Sequence, residues 1–329
     1  MGPTGYQSLE LLNKTRYMQA VRHWKKIAFA ALLLLGVAGS VIIRPDLSAS
    51  EVDARYRSEQ SHFLDLPDGT RMHYVEAGPP DAPTLLLVHG SFDSAFTWER
   101  VMPALAADFH VIAPDLPAHG LTGRTPLDAY AMSDMVNAID GLVTALGLSR
   151  FHLAGNSMGG NTAWLYTLAH PEHVERLVLI DSAGYPNASA PLVDHDPGPI
   201  MRWLYRHGNP TILVRRGFDR AVADPAAVSD AYVTRSVDFL RRAGSRDAQA
   251  KRNRLRNIEN QPIERIAEIR VPTLVLWGED DALLPVDGAH LFHAALPTSE
   301  LKIYAGIGHM PQLEVPEQLV RDLRAFLMP

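Results

Sequence analysis

No cysteine occurs among the 329 residues, so disulfides, thiolate metal sites and a cysteine nucleophile are all excluded. A strong charge of either sign is also missing. The 31 basic and 37 acidic residues leave a net −6, which implies no general affinity for nucleic acid. Internal repeats and low-complexity tracts are absent, and no glycine loop precedes a Lys-Ser/Thr pair, so nucleotide chemistry has no support. The histidines of "HPEHVE" (170–175) flank Pro171 at a helix edge and bring no partner cluster with them. Neither a metal nor a cofactor is expected.

Apolar residues make up 47% and charged residues 21%, an ordinary globular composition. The N-terminus stands apart. Residues 27–43, "IAFAALLLLGVAGSVII", carry no charge. As a helix they span roughly 26 Å, close to a hydrocarbon core of about 30 Å. Trp24 and Arg44 suit the two interfaces, and Lys14, Arg16, Arg22, Lys25 and Lys26 precede the run. That asymmetry predicts a cytoplasmic tail (1–26), a transmembrane anchor (27–45) and a domain on the extracytoplasmic, periplasmic side. A signal peptide cut near Ser48-Ala49-Ser50, releasing a secreted domain, is the alternative.

Residues 46–60 are polar and read as a linker. "HFLDLPDGTRMHYVEAG" (62–78) alternates on either side of Asp68-Gly69, a hairpin signal. Five apolar runs of strand length follow: 84–90, 109–115, 151–157, 176–182 and 272–281. Continuous apolar runs suit strands covered on both faces, and helix-period stretches such as 132–146 and 162–169 separate most of them. The alternation predicts an α/β fold with a mainly parallel sheet flanked by helices, over 61–183 and 266–329. Between them, residues 184–265 have helical patterns only, with 14 Lys/Arg against 9 Asp/Glu. They read as a helical lid over the carboxyl edge of the sheet. Its basic run "KRNRLR" (251–256) reads as a solvated helix face, with an anionic-lipid contact as the alternative.

Within "FHLAGNSMGGNTAW" (151–164), Ser157 sits between an apolar run and a helical one. A hydroxyl becomes a nucleophile only when a base takes its proton and its oxygen is clear of neighbours. A tight strand-to-helix turn supplies the clearance but crowds the flanking positions, which calls for glycine at Gly155 and Gly159. The amides of the following helix then point toward a developing oxyanion. Gly155-Asn156-Ser157-Met158-Gly159 is the G-x-S-x-G nucleophile elbow.

With the elbow in this context, the chain resembles the α/β-hydrolase family over residues 63–327, in its serine esterase and lipase-like, membrane-anchored bacterial form. Five further stretches carry the resemblance: "LLLVHGSFDSAFTW", "VIAPDLPAHGLT", "LVLIDSAG", "LVLWGEDDALLP" and "IGHMPQLEVPE". The resemblance implies Ser157 as nucleophile, His309 as general base and Asp281 as the acid that orients it. Gly278, Asp281 and Pro285 meet the family's G-x-x-D-x-x-x-P spacing, which favours Asp281 over Asp280. The oxyanion hole would use the backbone N–H groups of Ser91 and Met158. Asp181, ending another strand, competes for the acid's role and otherwise supports the lid hinge; His119 reads as structural.

Acyl transfer from an ester to water is the implied reaction, since aspartate would stand at 157 in epoxide- or halide-processing relatives. Trp203, Leu204, Tyr205, Ile212, Phe218, Tyr232 and Phe239 offer the lid apolar area for helix packing or for a hydrophobic acyl or aryl part, in a small-molecule or lipid ester. A carbon–carbon bond hydrolase of the meta-cleavage type is the alternative, because "GNSMGG" is similar to its elbow. Those enzymes usually place Trp after the catalytic histidine, where this chain has Met310. Lactonase and perhydrolase activities share the same triad.

Overall fold

A computed structural model describes residues 43–185, 198–256 and 261–328. The chain divides into two compact units, Met1–Pro45 with His207–Asn209 and Asp46–Arg206 with Pro210–Pro329. In the first, the Arg44 N–H donates to the His207 carbonyl at 2.9 Å. Residues 1–42, which hold the tail and nearly all of the expected anchor, lie outside the described residues. Among the described residues no helix is long and apolar enough to cross a membrane.

The second unit is built on eight strands in the order β1-β2-β4-β3-β5-β6-β7-β8. They are β1 Ser61–Asp65, β2 Arg71–Ala77, β3 Thr84–Val88, β4 His110–Pro114, β5 Phe151–Asn156, β6 Val174–Ile180, β7 Thr273–Gly278 and β8 Ser299–Tyr304. β2 pairs antiparallel with β1 and with β4, and every other pairing is parallel. Side chains alternate across the sheet and sort into two cores. Leu86, Val88, Leu153, Leu177, Leu179 and Val275 pack on one face, and Leu85, Leu87, Ala154, Val178, Ile180 and Leu276 on the other. Each such burial contributes about 1.5–3 kcal/mol for the larger side chains, which is why these strands carry unbroken apolar runs.

Two features depart from the sequence expectation. β8, "SELKIY", has no apolar run, because it lies at the sheet edge, where Glu300 and Lys302 face solvent. Residues 46–60, expected as a linker, contain helix α1 (Ala49–Tyr56), which has a complete capping box between Ser48 and Glu51. Val52 of α1 is fully buried, and Tyr56 donates to Asp238 at 2.8 Å. Leu47, Val52 and Tyr56 pack with Phe239 and a few polar bonds complete the docking, too few apolar positions to show as an amphipathic pattern.

The flanking helices include α2 (Met102–Leu105), α3 (Met132–Ala145) and α4 (Met158–Ala169). α4 follows the elbow and is buried on almost every side, so it starts four residues earlier than its apolar pattern suggests. Among the described residues, four α-helices lie between β6 and β7: α5 (Gly198–His207), α6 (Thr211–Ala221), α7 (Asp230–Arg241) and α8 (Ser245–Arg256). α9 (Asp287–Ala295), α10 (Pro311–Glu314) and α11 (Pro316–Leu327) complete the chain. Of the expected lid side chains, Phe218, Tyr232 and Phe239 are buried, whereas Trp203, Tyr205 and Ile212 are exposed. The Leu204 side chain lies outside the described residues.

Candidate active site

Ser157 caps α4 with φ 57° and ψ −118°, a left-handed conformation that an L-residue adopts at a cost of about 1–3 kcal/mol. The backbone holds it there. Its N–H donates to the Ile180 carbonyl at 3.0 Å, and its own carbonyl accepts from Ala183 and Asn161 at 2.9 and 3.1 Å. Space is the second condition. A Cβ on Gly155 would lie 2.2 Å from the Gly159 oxygen, and one on Gly159 would lie 2.1 Å from the Val88 oxygen. Both positions therefore require glycine. The Ser157 side chain makes no capping hydrogen bond, which leaves its oxygen free to react.

The loop after β7 carries Asp281, and the loop after β8 carries His309. His309 Nδ1 donates to Asp281 Oδ2 at 2.6 Å, and both side chains are buried. The other Asp281 oxygen accepts the Leu283 and Leu284 N–H groups at 2.7 and 2.9 Å, so the carboxylate is fixed at both ends. With Nδ1 holding a proton for Asp281, the Nε2 lone pair is the basic position. Asn156, next to the serine, donates to the His309 carbonyl at 3.0 Å and so links the elbow to the histidine loop. No direct Ser157–His309 hydrogen bond forms among the described residues; such bonds commonly tighten only when substrate is bound.

Ser91 and Met158 are also brought together, the Ser91 hydroxyl donating to Met158 Sδ at 3.3 Å. His89 orients the peptide in front of Ser91. Leu116 N–H donates to its Nε2 at 2.9 Å, so its proton is on Nδ1, which donates to the Gly90 carbonyl at 2.7 Å. Across a trans peptide the Ser91 N–H then points away from His89. Neither the Ser91 nor the Met158 N–H has a backbone partner among the described residues.

Behind this loop Asp115 is completely buried. It accepts from His73 Nδ1, the Ala95 N–H and the Leu121 N–H, each at 2.7 Å. Burial alone would raise its pKa, but the contacts with His73 and the backbone donors reverse this and bring it to about 2. His119 is buried and its basicity is pushed down to about 3, chiefly by desolvation, which suits a structural role.

A family model described as alpha/beta hydrolase fold matches residues 83–316. The chain belongs to the α/β-hydrolase family. It is 30% identical over 297 residues to a 2-hydroxy-6-oxononadienedioate/2-hydroxy-6-oxononatrienedioate hydrolase of Paraburkholderia xenovorans, covering 84% of this chain and 99% of that one. To Lipase 1 of Psychrobacter immobilis it is 26% identical over 316 residues, covering 92% and 96%. Among solved structures, a membrane phospholipase A described as a bacterial virulence factor superposes with a TM-score of 0.71 at 29% identity, covering 92% and 98%.

In this α/β hydrolase several residues that support the site escaped the sequence reading. Asn156 occupies a free position of the elbow motif, and only its contact with His309 reveals its use. Glu314 accepts the Gly308 N–H at 3.0 Å and the Ala223 N–H at 2.8 Å, clamping the histidine loop to the chain after α6. The His309 N–H itself donates to Ala221 at 2.7 Å. The helical insertion therefore helps to place the imidazole. Elsewhere, the His170–His173 pair gains a neighbour that sequence distance had hidden, Asp140 on α3, 3.6 Å from His170.

Proposed function

We propose that this α/β hydrolase is a serine carboxylic ester hydrolase working through an acyl-enzyme, on esters with a hydrophobic acyl or aryl part. One observation carries the reading: an unengaged serine hydroxyl on a strained turn follows Asn156, whose side chain bonds the backbone of a histidine that is itself bonded to a buried carboxylate at 2.6 Å. Ser157 attacks the ester carbonyl while His309 Nε2 takes its proton. The Ser91 and Met158 N–H groups stabilise the oxyanion, each such donor being worth about 10²–10³ in rate. The imidazolium, stabilised by Asp281, gives its proton to the leaving alcohol. Water then enters, loses a proton to His309 and releases the acid. The similarity to Lipase 1 and to the phospholipase supports ester substrates, including lipids. The charge asymmetry around residues 27–43 supports anchoring in the membrane, with the domain on the extracytoplasmic side. The helices α5–α8 act as the lid in this reading.

A second reading, a carbon–carbon bond hydrolase with the same triad, is favoured by the 30% identity to the Paraburkholderia enzyme. Met310, buried against Phe218 and Tyr232, weighs against it by occupying the position after His309. Purified protein and its Ser157→Ala variant should be assayed on p-nitrophenyl esters of graded chain length and on a vinylogous diketo acid. Turnover of the esters by wild type alone is expected. Inert esters with loss of the diketo-acid absorbance would replace the first reading with the second.

A further inference from the structure

Asp181 follows β6 directly, is completely buried, and has φ 44°, a backbone conformation that aspartate adopts only under constraint. Its N–H donates to the Leu276 carbonyl at 2.9 Å, and its Oδ1 accepts the Gly278 N–H at 2.8 Å. These bonds tie the end of β6 to the strand whose loop carries Asp281. Its Oδ2, equally buried, has no hydrogen-bond partner among the described residues. One oxygen of Asp181, one of Asp281 and a ring nitrogen of His309 all lie within 4.8 Å of one another. Two buried carboxylates thus sit behind a single imidazole, and His309 bonds to only one of them.

We infer that Asp181 is a positioning residue for this site: a neutral carboxylic acid whose Oδ2–H donates to Asp281, so that a single negative charge stands behind His309. This rests on the reading of Ser157, His309 and Asp281 as the reacting set. The proton resolves two conflicts together. It gives the orphaned Oδ2 a hydrogen bond, which a buried polar atom otherwise lacks at a cost of about 1–3 kcal/mol. It also removes the repulsion between two like charges in a dry pocket. Burial pushes the Asp181 pKa well up, the Asp281 charge adds to this, and the Gly278 N–H opposes it. Of the other groups facing it, Glu314 raises it further, while Tyr304 is itself raised, chiefly by burial, and stays neutral.

The mechanism depends on that charge count. A second carboxylate charge would stabilise the imidazolium and leave a smaller fraction of His309 unprotonated, and so able to take the serine proton, at neutral pH. A neutral acid instead anchors Asp281 without changing the net charge.

The test compares wild type with Asp181→Asn and Asp181→Ala, following kcat, KM and the acid limb of the kcat/KM profile, with melting temperature as the control for folding. Asn, which keeps a donor and no charge, is expected to hold kcat within about threefold and the acid limb within about 0.3 pH unit. Ala, which strands the Gly278 N–H and frees Asp281, should lower kcat about tenfold or more with little change in KM. A downward move of the acid limb by about one unit in Asp181→Asn would mean that a charge had been removed, and would overturn the inference. So would full activity in both variants. A readout independent of turnover separates this inference from the functional reading. Isotope-edited infrared difference spectra at neutral pH should show a protonated carboxyl band that Asp181→Asn removes. Absence of that band overturns the inference, whereas inert esters with the band present count against the ester reading alone.

Discussion

The strand ends around Ser157 and the helices between β6 and β7 use glycine in opposite ways. At the strand ends backbone meets backbone: a Cβ at Gly155, Gly159 or Gly278 would come within 2.0–2.2 Å of a carbonyl oxygen. In α6, Gly217 has open space around it, with nothing within 4 Å of where its Cβ would be. Polar groups differ similarly. Asp281, Asp115 and Asp181 are completely or almost completely buried, and each receives backbone N–H donors. In the insertion, Ile200 is 75% exposed and Ile212 69%, and ion pairs such as Arg215–Asp219 lie in partly solvated positions. The strand ends leave their residues little choice. The exposed positions of α5 and α6 leave theirs a great deal.

The sharpest way to break that contrast is a methyl group at Gly159. Gly159→Ala drives its Cβ into the Val88 carbonyl, so the loop before Ser91 and the start of α4 cannot both stay in place. A loss of about 3–5 kcal/mol in urea unfolding is expected, together with activity. Near-normal stability would show that the crowding can relax.

Next in size is Asp115→Asn, which places an amide where three donors converge; about 3 kcal/mol is expected. Its pH dependence has a defined sign. The folded carboxyl titrates at about 2 against an ordinary 3.8, so its contribution is complete above about pH 4 and is lost as pH falls toward 2. Wild-type stability should therefore fall across that window more steeply than that of the variant, as measured by urea midpoints at each pH. Parallel curves would contradict the assignment.

The smallest effect has the opposite sign. Gly217→Ala, in the open helix of the insertion, should stabilise by about 0.5–1 kcal/mol and leave turnover unchanged.

The same contrast explains what was legible in the sequence. Strands β3 to β7 announce themselves because both faces are buried along most of their length, so their central positions are apolar. β8 does not, because one edge is wet. The elbow and the histidine and acid loops are legible because the nucleophile, base and orienting acid proposed for them admit few substitutes at fixed spacing. Asn156 and Glu314 act through backbone groups 153 and 91 positions away and, for Glu314, through the Gly308 N–H six positions away, and such contacts leave no local pattern. The insertion was legible only as helical. Amphipathic periodicity cannot separate Phe218 and Tyr232, which pack against Met310, from Trp203 and Ile212, which face outward.

A fluorophosphonate probe followed by peptide mass spectrometry tests the nucleophile most directly. The expected result is one phosphonyl adduct on Ser157, formed quickly by wild type, slowed by about a thousandfold or more in His309→Ala, and absent from a folded Ser157→Ala. An adduct on another residue, or labelling at the wild-type rate without the imidazole, would contradict the convergence of Ser157, His309 and Asp281 into one reacting site.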